Sequence, residues 1–369
     1  MSDFHGYLNA ESSYEYVTHN EIKDEFTIDD IKNNADKIKP NFIVKAGDKK
    51  AAVSTWVSAK RTRSYPFVRI YKTLSHKNMK KITIFPVVKD EGRYGCRDYI
   101  QWDTFSMCSY LNVYTIPAYY VKAVTNIRNP RKPKITAQKY DSGFISKQIK
   151  SILKTGDDAK AWNKKMIELI KDLVPHIIEN YERIAENTHV IMHDMGKLRE
   201  GLERRSNPEE FRKLSRGYAI GAQKRESSTD QPKEKVFGFP KCSVTLKDHY
   251  GGSYYWTSDG IHIKDKKLFL IEFKHSKSGI PTFEDVGDAL FKYHFFKEIT
   301  GIQDQNSKKF ERKLVIVASS GKKSTSELEH NPTLIKIKEE CYRNSILLIC
   351  IGKGDGHAQI LRQLNSIKD

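Results

Sequence analysis

Asp259, Glu272 and Lys274 are the residues of this chain whose types and spacing could do chemistry together. Twelve residues separate the two acids, and Phe273 alone separates Glu272 from the lysine. Glu272 follows the apolar run Leu268-Phe269-Leu270-Ile271. Strand alternation puts Leu268, Leu270, Glu272 and Lys274 on one face. Two carboxylates brought together at the end of a sheet repel each other unless a cation lies between them. A hard divalent ion such as Mg²⁺ suits that place, because it takes oxygen ligands and keeps waters for a phosphate substrate. Glu21-Ile22-Lys23 has the same spelling but no apolar strand before it. The plainer alternative is an edge strand with solvated charges, Asp259-Gly260 being an ordinary hairpin turn. The order of the whole set outweighs it: acid, apolar run, acid-x-lysine, aromatic-rich helix, second apolar strand.

The elements that must position these residues alternate strand and helix. Strands are expected at Val244–Leu246, Tyr254–Thr257, Ile261–Ile263, Leu268–Phe273, Leu314–Val317 and Ile346–Ile351, with helices over 283–299 and 333–343. Thr282 with Asp285 forms an N-terminal cap for the first of these helices. Residues 221–235 are polar and read as a loop.

Before this region the pattern differs. A helix-like piece lies around Ile28–Ile38. Strand signals follow at Val53–Val57, Phe67–Tyr71, Ile82–Phe85 and Tyr114–Val121, with a helix over Tyr99–Leu111. Asn126 to Lys134 is basic, carries two prolines and reads as a linker. From 143 to about 205, Trp162, Met166, Ile170, Val174, Ile177 and Tyr181 recur at helical spacing, and Pro175 is a point where that helix could kink. The chain of 369 residues therefore divides into a strand-rich α+β domain (1–140), a helical connector (141–205) and a C-terminal α/β domain (206–369).

Lys plus Arg number 64 against 46 Asp plus Glu, a formal net charge of +18. Such an excess points to a polyanionic partner. Lys60, Arg61 and Arg63 form one basic cluster, Lys77, Lys80 and Lys81 another, and Arg128, Arg131, Lys132 and Lys134 a third. Tyr65, Tyr71 and Tyr94 lie among or beside them. DNA phosphate contact and a solvated face both fit these clusters. No stretch has the length of a membrane span, and the start lacks a signal-peptide core. The five cysteines form no close C-x-x-C pair, which fits a reducing cytoplasm.

Over residues 206–369 the chain resembles the PD-(D/E)XK nuclease superfamily, to which most type II restriction endonucleases belong. Asp259 matches the motif's first acid, Glu272 its second and Lys274 its lysine, while Ser258 stands where the motif's name has proline. The resemblance implies an αβββαβ core and a metal held by Asp259, Glu272 and the Phe273 carbonyl. It implies Mg²⁺-dependent hydrolysis of double-stranded DNA to 5′-phosphate ends. Lys274 would orient the attacking water or help deprotonate it, and would stabilise the transition state. An assisting acid from the first core helix would be Glu209, Glu210 or Glu226. His275 and Lys277 could touch phosphate or water, whereas His249, His262 and His294 read as structural or exposed.

Lys81–Gly92 and Arg97–Asp103 also resemble segments of bacterial restriction-type endonucleases. Asp90, Glu91, Asp98 and Asp103 there form either a second acid site or turn acids and a helix cap. The expectation is a sequence-specific type II restriction enzyme acting in phage defence. It would pair as a homodimer, with the 143–205 helices as one seam. The rivals are an anti-phage effector or repair nuclease of low specificity, and a non-catalytic DNA-binding protein.

Overall fold

The computed structural model describes residues 2–8, 22–60, 63, 65–126, 128–228, 237–277 and 279–367. The protein is mixed α/β and divides into two compact units, 20–215 and 216–369 joined by 1–19. This division departs from the expected boundaries at 140 and 205.

In the unit of residues 20–215, a five-stranded sheet runs Glu25–Thr27, Asn41–Ala46, Lys49–Thr55, Lys80–Pro86, Val113–Ala118 in spatial order. Lys49–Thr55, Lys80–Pro86 and Val113–Ala118 pair in parallel. Parallel neighbours need crossovers, and helices supply them. Trp102–Tyr110 is one and Pro66–Leu74 the other. The second corrects the strand expected at Phe67–Tyr71. Pro66 stands at the helix start, and Val68, Tyr71 and Leu74 are buried at helical spacing.

The helices expected as a connector belong to this same unit. Ser142–Lys154 and Ala159–Thr188 bury their apolar faces, the latter with Pro175 inside its span. Asn163 Oδ1 accepts from the Thr115 amide at 2.8 Å, and Trp162 Nε1 donates to the Thr115 carbonyl at 2.9 Å. Those bonds fasten the long helix to strand Val113–Ala118. The basic segment 126–134 is not a linker either. It is the turn of an antiparallel ribbon, Tyr120–Asn126 with Lys134–Tyr140. Prolines that suit a linker suit a turn equally well.

In the other unit, one sheet runs Ser253–Ser258, Cys242–Lys247, Ser2–Leu8, Ile299–Asp304. A second runs Gly260–Lys264, Lys267–Ser276, Glu311–Ser320, Ile346–Ile351. Gly260–Lys264 pairs antiparallel with Lys267–Ser276, which pairs in parallel with Glu311–Ser320. Strand Ser2–Leu8, unexpected from its polar composition, lies parallel to Cys242–Lys247. The polar stretch expected as a loop from 221 is helical as far as 228, within Pro208–Ser228, and 229–236 lie outside the described residues. Helix Phe283–Lys297 follows the acid-lysine strand. Asp285 Oδ2 accepts from the Thr282 amide and hydroxyl, and Thr282 Oγ1 accepts from the Asp285 amide, a reciprocal cap.

Candidate active site

Strand Lys267–Ser276 has two different faces. Phe269, Ile271 and Phe273 join an apolar cluster with Phe237, Val317 and Ile360. Phe273 stacks on Phe237 with ring centroids 4.7 Å apart. On the other face, Leu268 and Leu270 are fully buried, and the face continues into Glu272 and Lys274. Tyr293, on helix Phe283–Lys297, has its hydroxyl 2.7 Å from the Leu270 carbonyl and 2.8 Å from that of Val315. These contacts set the helix against the acid-lysine strand.

Asp259 occupies the bend between strands Ser253–Ser258 and Gly260–Lys264. Ser258 is fully buried, and its hydroxyl lies 3.0 Å from the Gly260 carbonyl and 2.9 Å from that of Ile271. Ser258 thus clamps the bend to the acid-lysine strand. The antiparallel ladder ends at Gly260–Ile271, so Phe273 has no ladder partner on that edge. Its amide instead donates to Asp259 Oδ2 at 2.9 Å. A strand residue aims N–H and C=O at the same edge. The Phe273 carbonyl therefore faces the edge where Asp259 lies.

Two lysines meet the buried Glu272 carboxylate. Lys292 Nζ is 2.6 Å from Oε2 and Lys274 Nζ is 3.4 Å from Oε1. Lys292 also donates to the Thr257 carbonyl. Burial and then the neighbouring Glu272 charge push the Asp259 carboxyl up to about 6. Burial acts upward on Glu272 too, but Lys292 and Lys274 together outweigh it and hold its carboxyl below the ordinary range. For Lys274, burial opposes the charge, yet Glu272, Asp288 and Asp259 prevail and raise its pKa. Burial keeps the Asp288 carboxyl above its usual range, against the pull of Lys274.

The structure therefore brings Asp259, Glu272 and Lys274 together, and adds Asp288 and Lys292 from the helix. The sequence reading missed these two. Their signal was a four-residue spacing beside the buried stripe Val286, Ala289, Leu290 and Tyr293.

Among the described residues, no three His, Cys, Asp or Glu side chains form a metal-ligand group. The set that fits a hard divalent ion is two carboxylates, Asp259 and Glu272, with the Phe273 carbonyl. All three donors are oxygen. Burial first, and then the Glu272 charge, disfavour the Asp259 carboxylate, and a bound cation would relieve both.

Other expected residues have other partners. Glu209 and Glu210 open helix Pro208–Ser228 within the 20–215 unit, and Arg204 bonds Glu210 at 3.0 Å. The Glu226 side chain lies outside the described residues. His275 is exposed, with Nδ1 3.0 Å from Ser319 Oγ, and Lys277 is exposed. His294 is buried, which pushes its pKa down to about 3. His262 Nε2 lies 3.4 Å from Asn365 Oδ1, and His249 packs on Tyr250.

Three of the acids near residue 90, Asp90, Glu91 and Asp98, are joined to arginines. Asp90 is fully buried between Arg97 Nε at 2.6 Å and His193 Nδ1 at 2.7 Å. Arg63 pairs with Glu91 at 2.7 Å and lies 3.4 Å from Asp98. Asp103 is buried in the first turn of Trp102–Tyr110. Arg63, expected at DNA, is thus a cation within an ion-pair network of its own unit. Lys60 is exposed, and Arg61 lies outside the described residues. Arg128, Arg131 and Lys132 are exposed at the turn of the ribbon, and Lys134 starts its second strand. No helix among the described residues is long and apolar enough to cross a membrane.

Comparison with known proteins finds no matching family model, curated protein or solved structure.

Proposed function

We propose that this chain is a Mg²⁺-dependent endonuclease that hydrolyses double-stranded DNA at a specific sequence, in the manner of type II restriction enzymes. The observation that carries the reading is the convergence of Asp259, Glu272, the Phe273 backbone and Lys274 at one end of one strand. The sheet Gly260–Lys264, Lys267–Ser276, Glu311–Ser320, Ile346–Ile351, with helix Phe283–Lys297 between its second and third strands, supports a PD-(D/E)XK core as well. Strands Cys242–Lys247, Ser253–Ser258 and Ile299–Asp304 belong to the other sheet of this unit and depart from the αβββαβ order.

Asp259, Glu272 and the Phe273 carbonyl would hold Mg²⁺. The ion would supply neutralisation of phosphoryl charge and a water of lowered pKa. Lys274, beside Glu272 at the end of the same strand face, would orient the water or help deprotonate it and would stabilise charge on the phosphoryl oxygens. The ribbon turn with Arg128, Arg131 and Lys132, together with Lys60, would contact phosphates. One acid-lysine set serves one strand of the duplex, so cutting both strands would pair two copies as a homodimer.

Digestion of a sequenced plasmid tests the reading. Discrete fragments with 5′-phosphate ends, formed with Mg²⁺ and not with EDTA, are expected. Supercoiled plasmid that survives prolonged incubation with Mg²⁺ would overturn it, and a smear would favour a nuclease of low specificity.

A further inference from the structure

Lys292 stands where a metal ion would have to act. Its ammonium lies 2.6 Å from Glu272 Oε2 and also bonds the Thr257 carbonyl, two residues before Asp259. Glu272 is 6% exposed, so its charge needs a cation close by whether or not metal is present. A divalent ion on the same carboxylate would face a positive charge a few ångströms away. Lys292, the closer of the two lysines on Glu272, would be the one that such an ion repels most.

We propose that Lys292 is a tethered counter-cation of the metal site, which holds the metal-binding carboxylates in place until the ion arrives and then gives up Glu272 to it. The inference rests on the metal-site reading above. The fold supplies a second berth for the displaced ammonium. Asp288 lies one helical turn before Lys292, at the spacing that suits an acid followed by a lysine. Asp288 is the helix carboxylate whose charge already acts on Lys274. Lys292 is a positioning residue on this account, because it acts through Glu272. It makes the empty site stable and at the same time weakens metal binding.

The test is calorimetric titration of the full-length protein with Mg²⁺, without DNA, for the wild type, Lys292→Met, Lys292→Arg and Asp259→Asn, with melting temperatures in EDTA and in Mg²⁺. Lys292→Met should bind Mg²⁺ on the order of tenfold tighter, within the usual range for coupling between two ligands of one site. It should melt lower than wild type in EDTA and gain more on addition of Mg²⁺. Lys292→Arg, which keeps the charge, should stay near wild type. A merely structural lysine would give the opposite sign, because a loosened site binds metal more weakly. A folded Lys292→Met protein with unchanged or weaker Mg²⁺ affinity would overturn the inference and leave the metal site standing. Absence of binding in the wild type and in every variant would overturn both.

Discussion

The Phe273 amide donates to Asp259 Oδ2 at 2.9 Å, although fourteen positions separate the two residues. The bond exists because strand Gly260–Lys264 stops pairing at Ile271 and leaves the Phe273 edge open for the bend before it. One backbone bond thereby fixes the first acid beside the second, and turns the Phe273 carbonyl toward the same edge.

Burying the Asp259 charge, and placing it beside Glu272, costs stability. Asp259 titrates near 6 in the folded chain, against an ordinary value of 3.8. The folded state therefore holds its proton more firmly than the unfolded state does. Stability from this group falls as pH rises through that window, and the loss is complete above it. Glu272 shifts the other way: its contribution is present at high pH and lost as pH falls. Asp259→Asn keeps an oxygen for the Phe273 amide and removes the charge. In EDTA the variant should melt above wild type at about pH 7.5, and the difference should vanish below about pH 4. Thermal unfolding across that range checks it. A variant that melts below wild type at neutral pH would mean that neither burial nor Glu272 disfavours the Asp259 charge.

Lys274→Ala should slow single-turnover cleavage by on the order of 10², the usual size of losing one transition-state charge partner. Mg²⁺ affinity should survive, since the lysine is not a ligand. A rate within a few-fold of wild type would show that Lys274 serves only as an ion-pair partner for Glu272.

Arg63 and the ribbon turn should separate cleanly. Replacing Arg128, Arg131 and Lys132 by serine should weaken specific and nonspecific DNA alike. It should flatten the slope of log K against log salt by up to about 0.9 per lost phosphate contact. Replacing Arg63 by alanine should instead lower the melting temperature by roughly a few degrees, because Glu91 and Asp98 lose their shared cation. Its salt slope should stay as in wild type. Salt titrations of binding on cognate and scrambled duplexes, with melts of each variant, decide it. An unchanged slope in the triple variant would remove the ribbon from the DNA contact.

Much of the unit that carries Asp259 and Glu272 is legible in the sequence, because its strands are apolar runs closed by charged turns. The strands around 244, 254, 261, 268, 314 and 346 lie where the pattern puts them, as does the Thr282–Asp285 cap. Phe67–Tyr71 misled because a short run of aromatic and β-branched residues has no period that separates strand from buried helix. Pro66 was the better guide. The ribbon turn was read as a linker because its meaning lies in the pairing of residues 120–126 with 134–140, which local composition does not carry. The same holds for Ser2–Leu8, whose partner lies some 240 residues away, at Cys242–Lys247. Asp288 and Lys292 were hidden by the ordinariness of a charged helix. Only the packing of that helix on Glu272 gives them significance.

If Glu272 and Asp259 hold the metal of a nuclease, removing one of these carboxylates should end cleavage and spare DNA binding. The most direct measurement is cleavage of a sequenced plasmid by wild type and by Glu272→Gln, purified side by side, with DNA affinity measured on the same preparations. The account predicts mapped double-strand cuts by wild type in Mg²⁺, none by Glu272→Gln, and DNA binding that persists in both. Equal cleavage by the two proteins, or no cleavage by wild type while Mg²⁺ binds, would contradict it.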